Sequence, residues 1–374
     1  MIKKTLFSLA LFMAAGAASA QVVPDGYYRL QSVKTGRYPA VVDNRGSVDM
    51  ASTSVDLGAI HSFRTFDENV VSNPGSIIYA RYVSDGYDLS AQGASTYDMV
   101  GYYIRIRLAR GSSDTYWAYG TKAGNTIYIG DVDSYEEEGI LVDNDPHHEW
   151  RILPVETGGD NYFGLRPACE AGGKYYQPFY ASFPFSFASE GMKAYYVTKF
   201  SNGMAVMKEY TGETLPASMP MFIECSASEP TDNRFNLLTT SASLPSDNIL
   251  TGTYFNNDWP SVHRNYVTND TATIRMLGVT SDGSLGFVAK PEVDRVPANT
   301  AYLVVPAGTE KELKLVTEEE YTTGISTVVA SEAKSRPKTG VYTITGVRVA
   351  DGNTLPEGLA AGIYIVGGKK VVVR

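Results

Sequence analysis

The sequence predicts an all-β protein. Three observations carry this. Its 374 residues include 26 Tyr and 35 Gly, a composition of sheets and turns, and long helical periodicity is nearly absent. Short apolar-polar alternations bounded by Gly, Pro, Asn and Asp recur along the chain. One phrase also occurs twice. Pro297-Ala298-Asn299 feeds the apolar run Ala301-Tyr302-Leu303-Val304-Val305, and Pro216-Ala217-Ser218 feeds Met221-Phe222-Ile223. Upstream, Asn202-Gly203 and Asp282-Gly283 each open an apolar strand, so turn, strand, turn, strand repeats with one residue of slip. Residues from about Asn161 to Ala307 therefore read as one all-β unit with an internal repeat; the alternative is chance likeness of two hairpins.

Taken in order, residues 1–20 form a secretory signal: Lys3 and Lys4, an apolar stretch, then Ala18-Ser19-Ala20 as the cleavage site. The apolar stretch is too short for a membrane anchor, and no other segment reads as a membrane span. The mature chain is expected to start at Gln21 and to be exported, extracellular or on the outer-membrane surface. With 32 Lys and Arg against 41 Asp and Glu, it lacks the basic stripe that nucleic acid requires.

Residues 24–156 read as three units of short strands. The first opens at Gly26-Tyr27-Tyr28-Arg29-Leu30, turns at Lys34-Thr35-Gly36 and ends near Phe63; the second surrounds the Asp85-Gly86 turn; the third ends at Glu149-Trp150-Arg151. The aromatic closers Phe63 and Trp150 resemble those of ricin-type β-trefoil lectins, with His148-Glu149-Trp150 in place of Gln-x-Trp. A closed two-sheet barrel of other topology is the competing fold. The resemblance implies a sugar-reading domain. Its best local match is Tyr116-Trp117-Ala118-Tyr119, preceded by Asp114. Trp117 and Tyr119 share one strand face, where rings can stack on sugar C–H groups beside a polar partner, so Asp114, Trp117 and Tyr119 are the candidate ligand-binding residues. The plainer alternative makes Trp117 a core residue. An acidic run over residues 131–145, from Asp131 to Asp145, is either a calcium-binding loop or a solvated connection, and it departs from the EF-hand spacing. His147 and His148 are adjacent, so on a strand they face opposite ways and do not share a metal.

After Gly158-Gly159, residues 160–315 are expected to form a β-sandwich with the internal repeat. Phe179, Phe183, Phe185 and Phe187 alternate like one face of a strand, and Trp259-Pro260 with Tyr266 reads as an aromatic loop. The Pro-Ala-Asn phrase before an Ala-Tyr strand resembles β-sandwich modules of secreted Bacteroidetes proteins. Cys169 and Cys225 are the only cysteines, and in an exported chain they are expected to be bridged, closing a loop of about 55 residues for on the order of 3–4 kcal/mol. Two buried thiols are the alternative. Residues 316–338 read as a charged linker. Residues 339–374 form a C-terminal β-module whose Gly362-Ile363-Tyr364, Gly367-Gly368-Lys369-Lys370 and final apolar run resemble type IX secretion sorting domains, which implies secretion machinery as a partner.

No Gly-x-Ser-x-Gly elbow, His-Glu-x-x-His pair, Walker loop or Gly-x-Gly-x-x-Gly turn occurs, and the four His (His61, His147, His148, His263) are scattered. No catalytic residue, metal or cofactor is therefore assigned. The expectation is a non-catalytic secreted or surface protein that binds glycan or host protein. A structural or adhesive component and a glycan hydrolase with an unseen carboxylate pair are the alternatives.

Overall fold

A computed structural model describes residues 23–41, 50–52, 63–66, 70–83, 86–91, 94–95, 104–108, 114–122, 125–131, 149–254, 267–323, 340–343, 347–352, 354–356, 358–366 and 369–373. The signal segment, residues 132–148 of the acidic run, all four His, the Trp259 to Tyr266 loop and most of the linker lie outside the described residues. The chain is all-β apart from short helical turns, and it forms two compact units that divide between Tyr321 and Thr322. Among the described residues no helix is long and apolar enough to cross a membrane.

The first sheet closes on itself. Strand Gly26–Ser32 pairs with Ile78–Val83, which leads through Gly86–Ala91 and Ile104–Leu108 to Tyr116–Lys122. Strand Glu149–Pro154 then pairs both with Tyr116–Lys122 and with Gly26–Ser32, so six antiparallel strands make a ring without an open edge. Alternation fills it: Tyr28, Leu30, Ile78, Ala80, Tyr87, Leu89, Tyr116, Ala118 and Trp150 make one buried cluster, with Trp150 fully enclosed. Outside the ring, Tyr38–Val41 and Phe63–Phe66 form a separate antiparallel pair, and Asn125–Asp131 adds to Tyr116–Lys122 and pairs on its other side with Met50–Ser52.

The second sheet has ten strands in a single run. In the first repeat, Lys193–Ser201 lies between Met204–Tyr210 and Met221–Cys225; in the second, Ile274–Val279 lies between Leu285–Val288 and Thr300–Val304. Strand Glu312–Thr317 joins the copies, parallel to Met204–Tyr210 and antiparallel to Leu285–Val288. The copies thus share one topology. The slip arises at the hairpins. Asn202 (φ 51°) and Gly203 (φ 72°) form a two-residue turn of the primed type, and Met204 follows at once, whereas Ser284 separates Gly283 from Leu285. Where two separate sheets were expected, one sheet curls until Lys174–Phe179 reaches Thr300–Val304.

The repeated phrase lies where the two halves meet. Ser218 (φ 60°) and Asn299 (φ 52°) both adopt the left-handed conformation. Ser218 N–H donates to Ala181 O (2.8 Å), Asn299 N–H to Tyr254 O (3.1 Å), and Asn299 Nδ2 to Tyr180 O (2.9 Å). The Tyr180 and Tyr254 rings stack at 4.4 Å, and a Cβ on Gly252 would stand 2.2 Å from the Tyr180 ring. Glycine is required there.

The aromatic run is core, although it is not one strand. Phe179 ends one strand, and Phe185–Phe187 is a separate strand that pairs with Phe235–Leu237. Phe163, Phe179, Phe183, Phe185 and Phe235 are all buried, and the Phe185 and Phe235 rings stack at 4.3 Å. This core includes Ile77, and Tyr27 of the ring packs edge-on against Phe183 at 5.9 Å. The boundary expected near residues 156–160 therefore crosses a shared core. Arg29 reinforces it, being fully buried with all five N–H donors engaged: Nε on Ser76 Oγ, Nη1 on Asn161 Oδ1 and Tyr162 O, Nη2 on Val70 O and Val71 O.

The expected linker starts with a helix, Glu318–Thr323. A capping box sets it: Thr317 Oγ1 accepts from Glu320 N–H (3.2 Å) and Glu320 Oε2 accepts from Thr317 N–H (2.8 Å). The C-terminal unit is a four-stranded sheet in the order Arg348–Ala350, Val341–Thr343, Gly362–Val366, Lys369–Val373, with Val341 and Tyr364 buried and Val347 and Val372 exposed.

Candidate functional site

Asp114 is exposed at the entry to strand Tyr116–Lys122. Thr115 follows, its hydroxyl donating to Glu149 Oε2 at 2.9 Å. Tyr116 and Ala118 point into the ring core, so Trp117 lies on the alternate face, opposite Arg107 and Glu149 in the ladder. Only 6% of Trp117 is exposed. A ring so covered has little surface left on which a sugar could stack. Tyr119 is two residues further along the same strand, and its side chain lies outside the described residues.

Asp131, the described member of the acidic run, is 1% exposed and grips Arg37 through two bonds, to Nε at 2.9 Å and Nη2 at 2.6 Å. Thr35 donates to the same carboxylate. This bidentate pair pins the Lys34-Thr35-Gly36 turn to the wall.

The expected Cys169–Cys225 bridge does not form; both thiols are free. Strand Lys174–Phe179 separates the strands that carry them, with Cys169 opposite Tyr176 and Cys225 opposite Tyr175. Neighbouring strands lie about 4.8 Å apart, so two spacings exceed the roughly 4.4–6.8 Å Cα separation of a disulfide. Tyr175 and Tyr176 also alternate, which turns the two thiols to opposite faces. Burial, with Cys169 and Glu224 adding, pushes the Cys225 thiol up to about 12, so it stays protonated and inert.

Near Cys169, Glu224 accepts from Lys174 Nζ (2.7 Å) and from the Tyr176 hydroxyl (3.4 Å). Burial, then the Glu224 charge, raises Tyr176 to about 12, and the same two causes raise Tyr195. Both hydroxyls therefore remain donors. The carboxylate already has its cation, so this cluster has the form of a structural clamp.

A concave site lies elsewhere, at the end of the first repeat. Thr214, Leu238, Thr239, Thr240, Ser241 and Ala242 line an open groove of about 460 Å³. The core positions its walls. Leu215 exchanges backbone bonds with Phe185, and Leu238 N–H donates to Pro184 O at 2.9 Å. The Ser241 hydroxyl accepts from Ala217 N–H at 3.0 Å, and the Tyr210 hydroxyl donates to Thr214 O at 3.0 Å. Among the described residues, the side-chain hydroxyls of Thr214, Thr239 and Thr240 have no partner, and no lining residue is charged. None of these residues is among the site residues expected from the sequence. The signal was the hydroxyl run Thr239-Thr240-Ser241 directly after Leu237-Leu238.

Comparison with protein-family models gives no match, and comparison with curated proteins gives none either.

Proposed function

We propose that this chain is an exported, non-catalytic binding protein that reads glycan at a surface. The observation that carries the reading is the closed six-stranded ring, which is common to a β-trefoil and to a closed barrel of other topology; the aromatic closers Phe63 and Trp150 are what favour the trefoil. Glu149–Pro154, the strand that carries the aromatic closer Trp150, is the one that completes the ring. The uncharged, threonine-rich groove adds to it, because apolar surface with a few hydroxyl donors and acceptors suits a sugar. The C-terminal module serves export in this reading, on its resemblance to sorting domains.

The test is an immobilised glycan array probed with the full secreted chain at near-physiological salt. Specific binding without release of reducing ends is expected. A blank array, or sugar release from a bound glycan, overturns the reading, the second in favour of a hydrolase. N-terminal analysis of protein from the envelope is expected to begin at Gln21.

A further inference from the structure

We propose that the groove formed by Thr214 and residues 238–242 is itself a sugar site, taking a neutral mono- or disaccharide unit. This deepens the glycan-binding reading and rests on it. The groove of about 460 Å³ falls within the roughly 300–1,000 Å³ of small-ligand clefts. Its lining is uncharged and mixed, with more apolar than polar surface. The three threonine hydroxyls, which have no partner among the described residues, can each donate and accept, as the hydroxyls of a sugar do. Threonine methyls, Leu238 and Ala242 offer apolar contact for the sugar's C–H groups.

The same lining selects against charge. With no ionisable side chain in the wall, a uronate or amino group would find no charged partner there. A protein partner is disfavoured by form, since stable protein interfaces need about 1,200–2,000 Å² of complementary surface rather than a small concavity. The groove is also pre-formed. The bonds from Leu238 to Pro184 and from Ala217 to Ser241 hold its two sides in place, so little ordering cost falls on binding.

The experiment is saturation-transfer NMR on the full chain with lactose, cellobiose and maltose as neutral probes and digalacturonate as the charged one. At least one neutral disaccharide is expected to receive transfer and digalacturonate none. The double variant Thr239→Val/Thr240→Val removes two exposed hydroxyls while keeping shape, and is expected to weaken binding about tenfold or more with an unchanged thermal midpoint. Thr240→Tyr, which adds bulk at an exposed position, is expected to block binding independently of any lost hydrogen bond. If both variants bind the sugar as the parent does while the array stays positive, the groove is not the site and the glycan-binding reading stands. Equal transfer to digalacturonate also overturns the groove. If neither the array nor any neutral probe gives binding, both proposals fall.

Discussion

At the scale of single residues, the buried ones dictate most and were the least legible. Arg29 alternates with Tyr28 and Leu30 and reads as the solvent side of a strand; in the fold that side is the junction with the second sheet. Only the partner surface, invisible in a local pattern, makes the difference. Burial lowers its guanidinium to about 10, a desolvation cost offset by five hydrogen bonds. Arg29→Met is expected to destabilise the protein by at least about 3 kcal/mol in urea titration, because Asn161, Ser76 and the carbonyls lose their donor together. A loss under about 1 kcal/mol would mean that water replaces it. Tyr27 gives a pH-dependent counterpart. Burial, then Tyr79, raises its hydroxyl from 10.0 to about 12. A raised acid is stabilising while neutral, so this contribution is complete below pH 10 and is lost as pH climbs towards 12. Tyr27→Phe is expected to lose less stability between those pH values than the parent does, measured by denaturant midpoints at each pH. Trp117 belongs here too. At 6% exposure, Trp117→Ala is expected to lower the thermal midpoint by the equivalent of about 3 kcal/mol or more; a midpoint nearly unchanged would return its ring to the ligand-facing role.

At the scale of elements, the sequence was most informative where local geometry is constrained. The Pro-Ala phrase was visible because it needs both a fixed φ at Pro and a residue that tolerates positive φ, and the fold has Ser218 and Asn299 at that position. The two glycine turns were visible for the same reason. The capping box at Thr317 and Glu320 was equally local but was hidden inside a run of charge. The disulfide failed because pairing depends on strand order, and nothing in the spacing of Cys169 and Cys225 reveals the strand between them. Asn299 tests the element account. Asn299→Val forces a β-branched residue into the left-handed region and removes the bond to Tyr180 O, for about 2–3 kcal/mol together. Asn299→Gly loses only the bond and is expected to cost clearly less in the same denaturant titration. Equal losses would show that the backbone conformation at this turn carries no strain.

At the scale of the molecule, a ring and a curled sheet share apolar contacts, and this decides how the chain folds. The Gly158-Gly159 break is a surface turn, yet on either side of it Ile77 and Phe163 belong to one core and Tyr27 meets Phe183. Periodicity showed that both regions were β; it could not show that the outer face of strand Gly26–Ser32 is covered. The groove escaped notice for a similar reason, since Thr214 and Thr240 are brought together by tertiary pairing, with Phe185 bonded to Leu215 on one side and Phe185–Phe187 paired with Phe235–Leu237 on the other. A fragment of residues 24–156 would expose Tyr27 and Ile77 and leave Arg29 without Asn161 and Tyr162 O. Uncovering that surface removes hydrophobic stabilisation of about 25 cal/mol per Å², and the unpaired guanidinium adds its own cost. The fragment is therefore expected to unfold at a lower urea concentration than the same residues do in a chain of residues 21–323, with that longer chain melting in a single transition. Two separated transitions in the longer chain, with the fragment as stable as its counterpart, would make the ring an independent domain and the Arg29 junction a contact of little energetic consequence.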